Sequence, residues 1–214
     1  MRPIFGASRN RRARGFSLVE AAVVLVVIGI ILGAVLQGRS LIESAEYKSF
    51  RQQIREYRGA FHNFRDRFDA LPGDFEDASD RLESTQNDGG GDGLIGTNIE
   101  SDWDGCSTDT DERCMAWQHL RAAGMLDGNP ETPNDAAAPE HPYGGLVAAF
   151  FTGAGENGAF GHKLLITDVP VGIAQRFDAD NDDERCDGGR ITGQTCPDGD
   201  WPTGQTTVDV VYAL

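Results

Sequence analysis

The chain has 214 residues and a mass of 23.1 kDa, which suits one domain or slightly more. Hydrophobic residues make up 39% of the sequence, enough for a folded core, so wholesale disorder is not expected. The formal net charge of −15 argues against nucleic acid as a partner, because an acidic surface repels phosphate backbones.

The first 36 residues combine a basic segment with an apolar one. Residues 1–15 contain five arginines and no acidic residue, whereas residues 16–36 carry one charge, Glu20. As a helix, the apolar segment would be about 31 Å long, which matches the hydrocarbon core of a membrane. The positive-inside rule keeps the arginines in the cytoplasm and sends the chain after Leu36 outward. A cleaved secretory signal fits poorly, because no A-x-A-like site follows Leu36.

Glu20 is the unusual residue of this segment. A carboxylate inside an apolar span costs a few kcal/mol, and it is by default a functional-site hypothesis. The alternative is a charge that is tolerated near a membrane interface.

The sequence RG-FSLVE and the apolar run after it resemble the leader of type IV pilins and type II secretion pseudopilins. The resemblance implies that a prepilin peptidase cleaves after Gly15 and that the new N-terminal residue, Phe16, is methylated. Glu20 then takes the position of the family's glutamate, which pairs with the N-terminal amine of a neighbouring subunit and sets the axial register. Such a pairing makes a buried carboxylate tolerable.

An apolar stripe continues the helical pattern beyond the membrane segment. Its members recur at spacings of three and four residues: Tyr47, Phe50, Ile54, Tyr57, Phe61, Phe64 and Phe68. A coiled-coil seam prefers Leu, Ile and Val, so the aromatic side chains favour packing on a sheet over a coiled coil. A second stripe indicates a solvated face or, in a filament, a surface that meets acidic neighbours: Arg51, Arg55, Arg58, His62 and Arg65.

The helix is predicted to run from Phe16 to about Ala70, because Leu71-Pro72-Gly73-Asp74 interrupts it. This LPGD sequence and the W-Q-H-L-x-x-A-G pattern at Trp117–Gly124 resemble a subset of pilin-like proteins.

Residues 71–214 are predicted to form an exported head. The patterns indicate helices at 75–83 and Glu112–Met125 and four strands: Leu146–Thr152, His162–Thr167, Val171–Phe177 and Val208–Leu214. The expected fold class is therefore α+β, with a long N-terminal helix packed on a small antiparallel sheet, as in pilins.

Four cysteines, Cys106, Cys114, Cys186 and Cys196, all lie beyond the membrane segment. An even number of cysteines in an exported domain indicates disulfides. Of the three connectivities, Cys106–Cys114 and Cys186–Cys196 are preferred because each closes a short loop. Zinc is the rival interpretation, but neither pair has the usual C-x₂₋₄-C spacing.

Two segments concentrate oxygen ligands that suit a hard cation such as Ca²⁺. In the second segment, 178–184, the candidate ligands are Asp178, Asp180, Asp182 and Asp183; the first covers residues 87–92. An EF-hand is excluded, because Asp183 replaces the required glycine and Gly189 replaces the final glutamate. Some pseudopilin relatives hold Ca²⁺ in a C-terminal loop, which supports the second segment. The alternative is a solvated acidic loop that is stapled by a disulfide.

The resemblance implies a structural subunit rather than an enzyme. The precursor would span the inner membrane with its head in the periplasm. After processing by prepilin peptidase, it would polymerise with homologous subunits into a type IV pilus or type II secretion pseudopilus, in the periplasm or on the cell surface. The alternative is a signal-anchored periplasmic enzyme or binding domain. The sequence offers that alternative no G-x-S-x-G elbow, no Walker loop and no metal-ligand spacing of histidines.

Overall fold

The computed structural model describes residues 17–82, 87–96, 110–133, 137–153 and 161–214. The chain divides into two compact units, Met1–Ala45 and Glu46–Leu214. The second unit contains the sheet and is called the head below.

The first element is a long helix, α1, from Leu18 to Phe68. It confirms the predicted long helix, although Phe16 lies outside the described residues. The helix ends where Asp69 takes a left-handed conformation with φ of 54°, shortly before Pro72. Between Leu18 and Ile42 the large apolar side chains of α1 are exposed, and this part is long and apolar enough to span a membrane.

Within the described residues, the head contains one four-stranded antiparallel sheet in the order β1-β2-β4-β3. The strands are β1 (Val147–Thr152), β2 (Gly161–Pro170), β3 (Ile191–Gly193) and β4 (Thr207–Ala213). Three of them match predicted strands, whereas the three-residue strand β3 was not predicted. The long helix and the small antiparallel sheet together give the α+β layout of pilins, as the sequence predicts.

In the described part of the head, three short α-helices and a 3₁₀ turn at Pro197–Gly199 accompany the sheet. The α-helices are α2 (Ala78–Arg81), α3 (Glu112–Ala122) and α4 (Val171–Asn181). Helix α3 begins after Asp111, whose side chain accepts a hydrogen bond from the Arg113 N–H, and it ends before Gly124, at φ 68°. Helices α2 and α3 lie at the predicted positions, and each is shorter than predicted.

Helix α4 corrects the sequence prediction, which placed a strand at Val171–Phe177. Its buried residues, Ala174, Phe177 and Asp178, follow the three- and four-residue spacing of a helix face. Because the run is short and apolar, it is compatible with both structures by pattern alone.

The aromatic stripe of α1 enters the core of the head. Phe50 meets the ring of Phe177 at 5.2 Å between centroids, and Tyr57 meets Trp117 at 5.0 Å, both edge-to-face. The inner sheet face, with Leu164 among its residues, completes this core. The stripe is thus a helix surface that faces the core of its own head.

In the stripe of basic residues, Arg55, His62 and Arg65 are exposed, as a solvated face requires, whereas Arg51 and Arg58 contact other parts of the head. Arg51 makes an ion pair with Asp180 at 2.9 Å. Arg58 donates a hydrogen bond to the Tyr212 hydroxyl at 2.6 Å, with its guanidinium 4.9 Å from the ring centroid. These two residues attach α1 to the rest of the head.

Candidate functional site

Glu20 lies in the first turn of α1, and its side chain is exposed on the isolated chain. The apolar residues around it are exposed as well. Gly15 and Phe16, the predicted cleavage and methylation residues, lie outside the described residues. From residue 18 to residue 36, the described chain is therefore an apolar helix surface interrupted by one carboxylate.

The acidic segment 178–184 brings three of its four predicted ligands together. Carboxylate oxygens of Asp178, Asp182 and Asp183 lie within 4.8 Å of one another. Asp182 accepts hydrogen bonds from the Arg190 and Ile191 N–H groups, the latter at 2.8 Å. These backbone contacts fix the Asp182 carboxylate beside Asp178.

Asp178 is the buried member of this cluster, with 0% of its surface exposed. Its Oδ2 accepts a hydrogen bond from the Trp201 Nε1–H at 3.1 Å. Its Oδ1 is buried and has no hydrogen-bond partner among the residues that the structure describes. Burying a carboxylate oxygen without a partner costs free energy, so a cation or a proton bound at this atom would stabilise the folded chain.

The pKa of Asp178 reflects the same environment. Burial, followed by the negative charges of Asp182, Asp183 and Glu184, raises it from 3.8 to about 6, against the opposing effect of the Trp201 hydrogen bond. A divalent cation would reverse this balance, because it favours the charged form of all three aspartates.

Asp180, the fourth predicted ligand, points elsewhere. Its Oδ2 accepts hydrogen bonds from the Tyr47 hydroxyl at 2.6 Å and from Arg51 at 2.9 Å. The cause is helix α4, in which residues two apart lie about 200° apart whereas residues four apart share a face. Asp178 and Asp182 therefore lie together, and Asp180 faces α1 instead.

A disulfide joins Cys186 and Cys196 next to this cluster, with the Cα atoms 5.5 Å apart. It is the pairing that the sequence analysis prefers. Cys114 is also disulfide-bonded, and its predicted partner, Cys106, lies outside the described residues.

The first acidic segment belongs to a second cluster, formed by Asp74, Asp92 and Glu112. Backbone N–H groups of the 87–96 loop bind these carboxylates. Asp74 accepts from the N–H groups of Asp92 and Gly93, at 2.9 and 2.8 Å. Glu112 accepts from Gly90 and Gly96, each at 2.8 Å. Each oxygen of Asp74 and Glu112 thus already has a backbone donor.

Two histidines are equally engaged by the backbone. His119 and His141 each use both ring nitrogens in hydrogen bonds to main-chain atoms.

An open, mostly polar cleft of about 650 Å³ lies beside the end of α1, with basic and acidic residues on its walls, among them Arg65, Arg81, Glu76 and Asp77. The four described histidines form no cluster with these acids that could hold a metal.

Three contributors to these sites, Trp201, Asp74 and Glu112, lie outside the two acidic segments predicted from the sequence. Trp201 orients Asp178 from 23 residues away, and no local pattern indicates such a contact. Glu112 lies in the first turn of α3, where an acidic residue is common for helix-dipole reasons alone.

Comparison with known families identifies one match. The family model described as the prokaryotic N-terminal methylation motif matches residues 10–36, which include Gly15, Phe16 and Glu20. This motif is the signature of type IV pilins and pseudopilins. In the same comparisons, no curated protein and no solved structure matches the chain.

Proposed function

We propose that this protein is a structural subunit of a type IV pilus or type II secretion pseudopilus. The N-terminal methylation motif at residues 10–36 supports this proposal most strongly. It implies that prepilin peptidase cleaves after Gly15 and methylates Phe16. The precursor then spans the inner membrane once, with its head in the periplasm, and the mature chain assembles with homologous subunits.

The exposed apolar surface of α1 fits assembly through the N-terminal helix. Large apolar residues between Leu18 and Ile42 are exposed in the isolated chain, so they require lipid or other helices as neighbours. Lipid satisfies the apolar side chains but leaves Glu20 without a partner. In a filament, the carboxylate of Glu20 pairs with the Phe16 amine of an adjacent subunit.

The assembly role is tested with Glu20→Ala. Breaking a buried ion pair by removing one partner costs about 3–5 kcal/mol, so incorporation into filaments should fall sharply. Membrane insertion and leader cleavage should persist, because neither needs the pair. Filaments sheared from cells that co-express the assembly system would be quantified by sedimentation and immunoblotting.

Matched variants sharpen this test. Glu20→Asp keeps the charge and shortens the side chain by one methylene, so its incorporation should be intermediate. Glu43→Ala removes a carboxylate from α1 outside the apolar segment and should assemble normally. Assembly of Glu20→Ala at the level of the unmodified chain would refute the pairing of Glu20 with the amine.

An enzymatic role is the alternative, and two histidines and one acid of the head argue against it. A catalytic histidine needs a ring nitrogen that is free to exchange a proton with substrate. His119 and His141 commit both nitrogens to the backbone. His162, on the wall of the polar cleft, keeps a buried Nε2 without a hydrogen-bond partner among the described residues. Asp74, the buried acid of the polar cleft, is held by two backbone N–H groups.

We further propose that Asp178, Asp182 and Asp183 bind Ca²⁺ in the head. The unpartnered Oδ1 of the fully buried Asp178 supports a ligand there, and the two neighbouring carboxylates provide the hard oxygen donors that Ca²⁺ prefers. Trp201 and the backbone of β3 hold Asp178 and Asp182 in place, so the site is organised before the ion arrives.

This site is tested by thermal unfolding of the full chain in detergent micelles. At a hundredfold excess over the dissociation constant, bound Ca²⁺ stabilises the folded state by ~2.7 kcal/mol relative to chelator. The midpoint should therefore rise by several degrees in millimolar Ca²⁺. Asp178→Asn should abolish the rise, whereas Asp92→Asn, in the other acidic cluster, should keep it. Equal midpoints in Ca²⁺, Mg²⁺ and chelator would refute the site.

A further inference from the structure

Two buried imidazoles of the head share one hydrogen-bond arrangement. In His119, Nδ1 accepts from the Gly73 N–H at 3.0 Å, and Nε2 lies 3.0 Å from the Asn87 carbonyl oxygen. In His141, Nδ1 accepts from the Tyr143 N–H at 3.2 Å, and Nε2 lies 2.7 Å from the Thr167 carbonyl oxygen. A carbonyl oxygen only accepts, so each Nε2 carries the proton and each Nδ1 does not.

Each imidazole joins two separate segments. His119, on α3, holds the turn at Gly73 and the start of the 87–96 loop. His141 holds the 140–146 turn to β2 through Thr167. They are 0% and 4% exposed, so water cannot replace either backbone partner while the contact is closed.

Protonation is incompatible with this arrangement. A second ring proton would sit on Nδ1, directly opposite a backbone N–H that also donates. The cation would be enclosed by Phe64 beside His119, and by Phe50 and Tyr143 beside His141. Taking up a proton therefore requires Nδ1 to separate from the backbone N–H that donates to it, whereas Nε2 can still donate to its carbonyl oxygen.

We propose that His119 and His141 are acid-sensitive latches, whose protonation opens the contact of the Gly73 amide with His119 and that of the Tyr143 amide with His141. This inference concerns the head and does not depend on filament assembly.

The charged neighbours moderate the latches without removing them. Asp88 faces His119 from the 87–96 loop and raises its pKa, and Asp74 follows Gly73 in the turn. Asp168 from β2 and Glu140 act likewise on His141. Burial outweighs these charges and lowers the pKa of both imidazoles below 6.5. As the pH falls, the unfolded chain protonates these imidazoles before the folded chain does. The latches therefore weaken below about pH 6.5.

The experiment measures amide hydrogen exchange in the full chain in detergent micelles at about pH 7.5 and pH 5, after correction for intrinsic rates. Protection of the Gly73 and Tyr143 amides should fall about tenfold or more at the lower pH, because an imidazole released from its contact, with the ordinary pKa of about 6.5, is almost fully protonated at pH 5. The amide of Leu165, inside the sheet, is the internal reference and should change less.

Variants assign the effect to the imidazoles. In His119→Asn the amide oxygen can still accept from Gly73, and it does not titrate, so the pH dependence at Gly73 should disappear while that at Tyr143 remains. His141→Asn should show the reverse, and the exposed His62→Asn should leave both unchanged. If a variant fails to fold, NMR titration of the histidines in the unmodified chain decides. An imidazole of His119 or His141 that titrates near 6.5 in the folded state, or unchanged protection at the lower pH, would overturn the proposal.

Discussion

The 87–96 loop and the acidic segment 178–184 are both rich in aspartate, but different partners surround their carboxylates. Around the 87–96 loop, four backbone N–H groups point at the carboxylates of Asp74 and Glu112. In segment 178–184, Asp178 keeps one buried oxygen without a donor from any residue that the structure describes. The number of acids in a loop thus says little about metal binding. What matters is whether backbone N–H groups already donate hydrogen bonds to the carboxylate oxygens.

The glycines of the 87–96 loop explain this difference. A Cβ at Gly89 would overlap the carbonyl oxygen of Gly73 and the backbone of Asp74, so only glycine lets the two segments approach. The close approach brings successive N–H groups within reach of the carboxylates. Segment 178–184 continues a helix instead, and its own backbone N–H groups are partly committed to that helix, as in the Asp182 N–H bond to the Asp178 carbonyl.

The largest effect predicted from this comparison belongs to Asp74→Asn. The variant replaces an acceptor oxygen with an N–H₂ group that faces a backbone donor, so the free energy of unfolding should fall by about 2–3 kcal/mol. Urea unfolding of the full chain in micelles at neutral pH measures it. Asp92→Asn, which is exposed and accepts one hydrogen bond from Leu94, should cost less than about 1 kcal/mol. Equal effects of the two variants would mean that the loop is not organised around Asp74.

A smaller effect is expected for Asp180→Asn. This variant weakens a half-exposed ion pair with Arg51 and the hydrogen bond from Tyr47, which together should cost about 1 kcal/mol. Because Asp180 lies outside the cluster of Asp178, the stabilisation by Ca²⁺ should be unchanged. Thermal unfolding with and without Ca²⁺ measures both quantities, and a lost Ca²⁺ response would return Asp180 to the ligand set.

An effect of opposite sign is expected for Asp178→Asn without metal. The folded-state pKa of about 6 lies above the unfolded value of 3.8, so the neutral acid stabilises the folded chain at low pH. This contribution is lost as the pH rises through 6. In chelator, Asp178→Asn should therefore gain stability relative to the unmodified chain between about pH 5 and pH 7.5.

His119 and His141 titrate in both chains, and their effect on stability has the opposite sign to that of Asp178. Comparing Asp178→Asn with the unmodified chain at each pH removes this shared contribution. The same proton competes with Ca²⁺, so the stabilisation by the ion should shrink at the lower pH. A variant that loses stability relative to the unmodified chain as the pH rises in chelator would contradict the burial of an unpartnered carboxylate.

The sequence predicts the long helix, its core-facing stripe and most strands because these rest on strong periodicities. The aromatic residues from Tyr47 to Phe64 repeat over several turns, so one misplaced residue does not change the pattern. Val171–Phe177 is too short for this, and the strand assigned to it was wrong. The helix found there also separates Asp180 from Asp178 and Asp182, because residues two apart do not share a helix face.

The arrangement of the sites depends on contacts that are distant in sequence. Trp201 reaches Asp178, and loop amides reach Glu112, over separations of 23 and up to 22 residues. Such contacts follow from the packing of the whole head. Segment composition identifies where the acids are concentrated, and the packing determines which of them lacks a partner.

The central claim, that the chain is a processed pilin-like subunit, is tested most directly by the mass and N-terminal sequence of the protein extracted from membranes. A host with prepilin peptidase should yield a chain that begins at Phe16 with one added methyl group on its amine, and Gly15→Leu should leave the precursor uncleaved. A chain that still begins at Met1 in that host, or that is processed equally well with Gly15→Leu, would contradict the account.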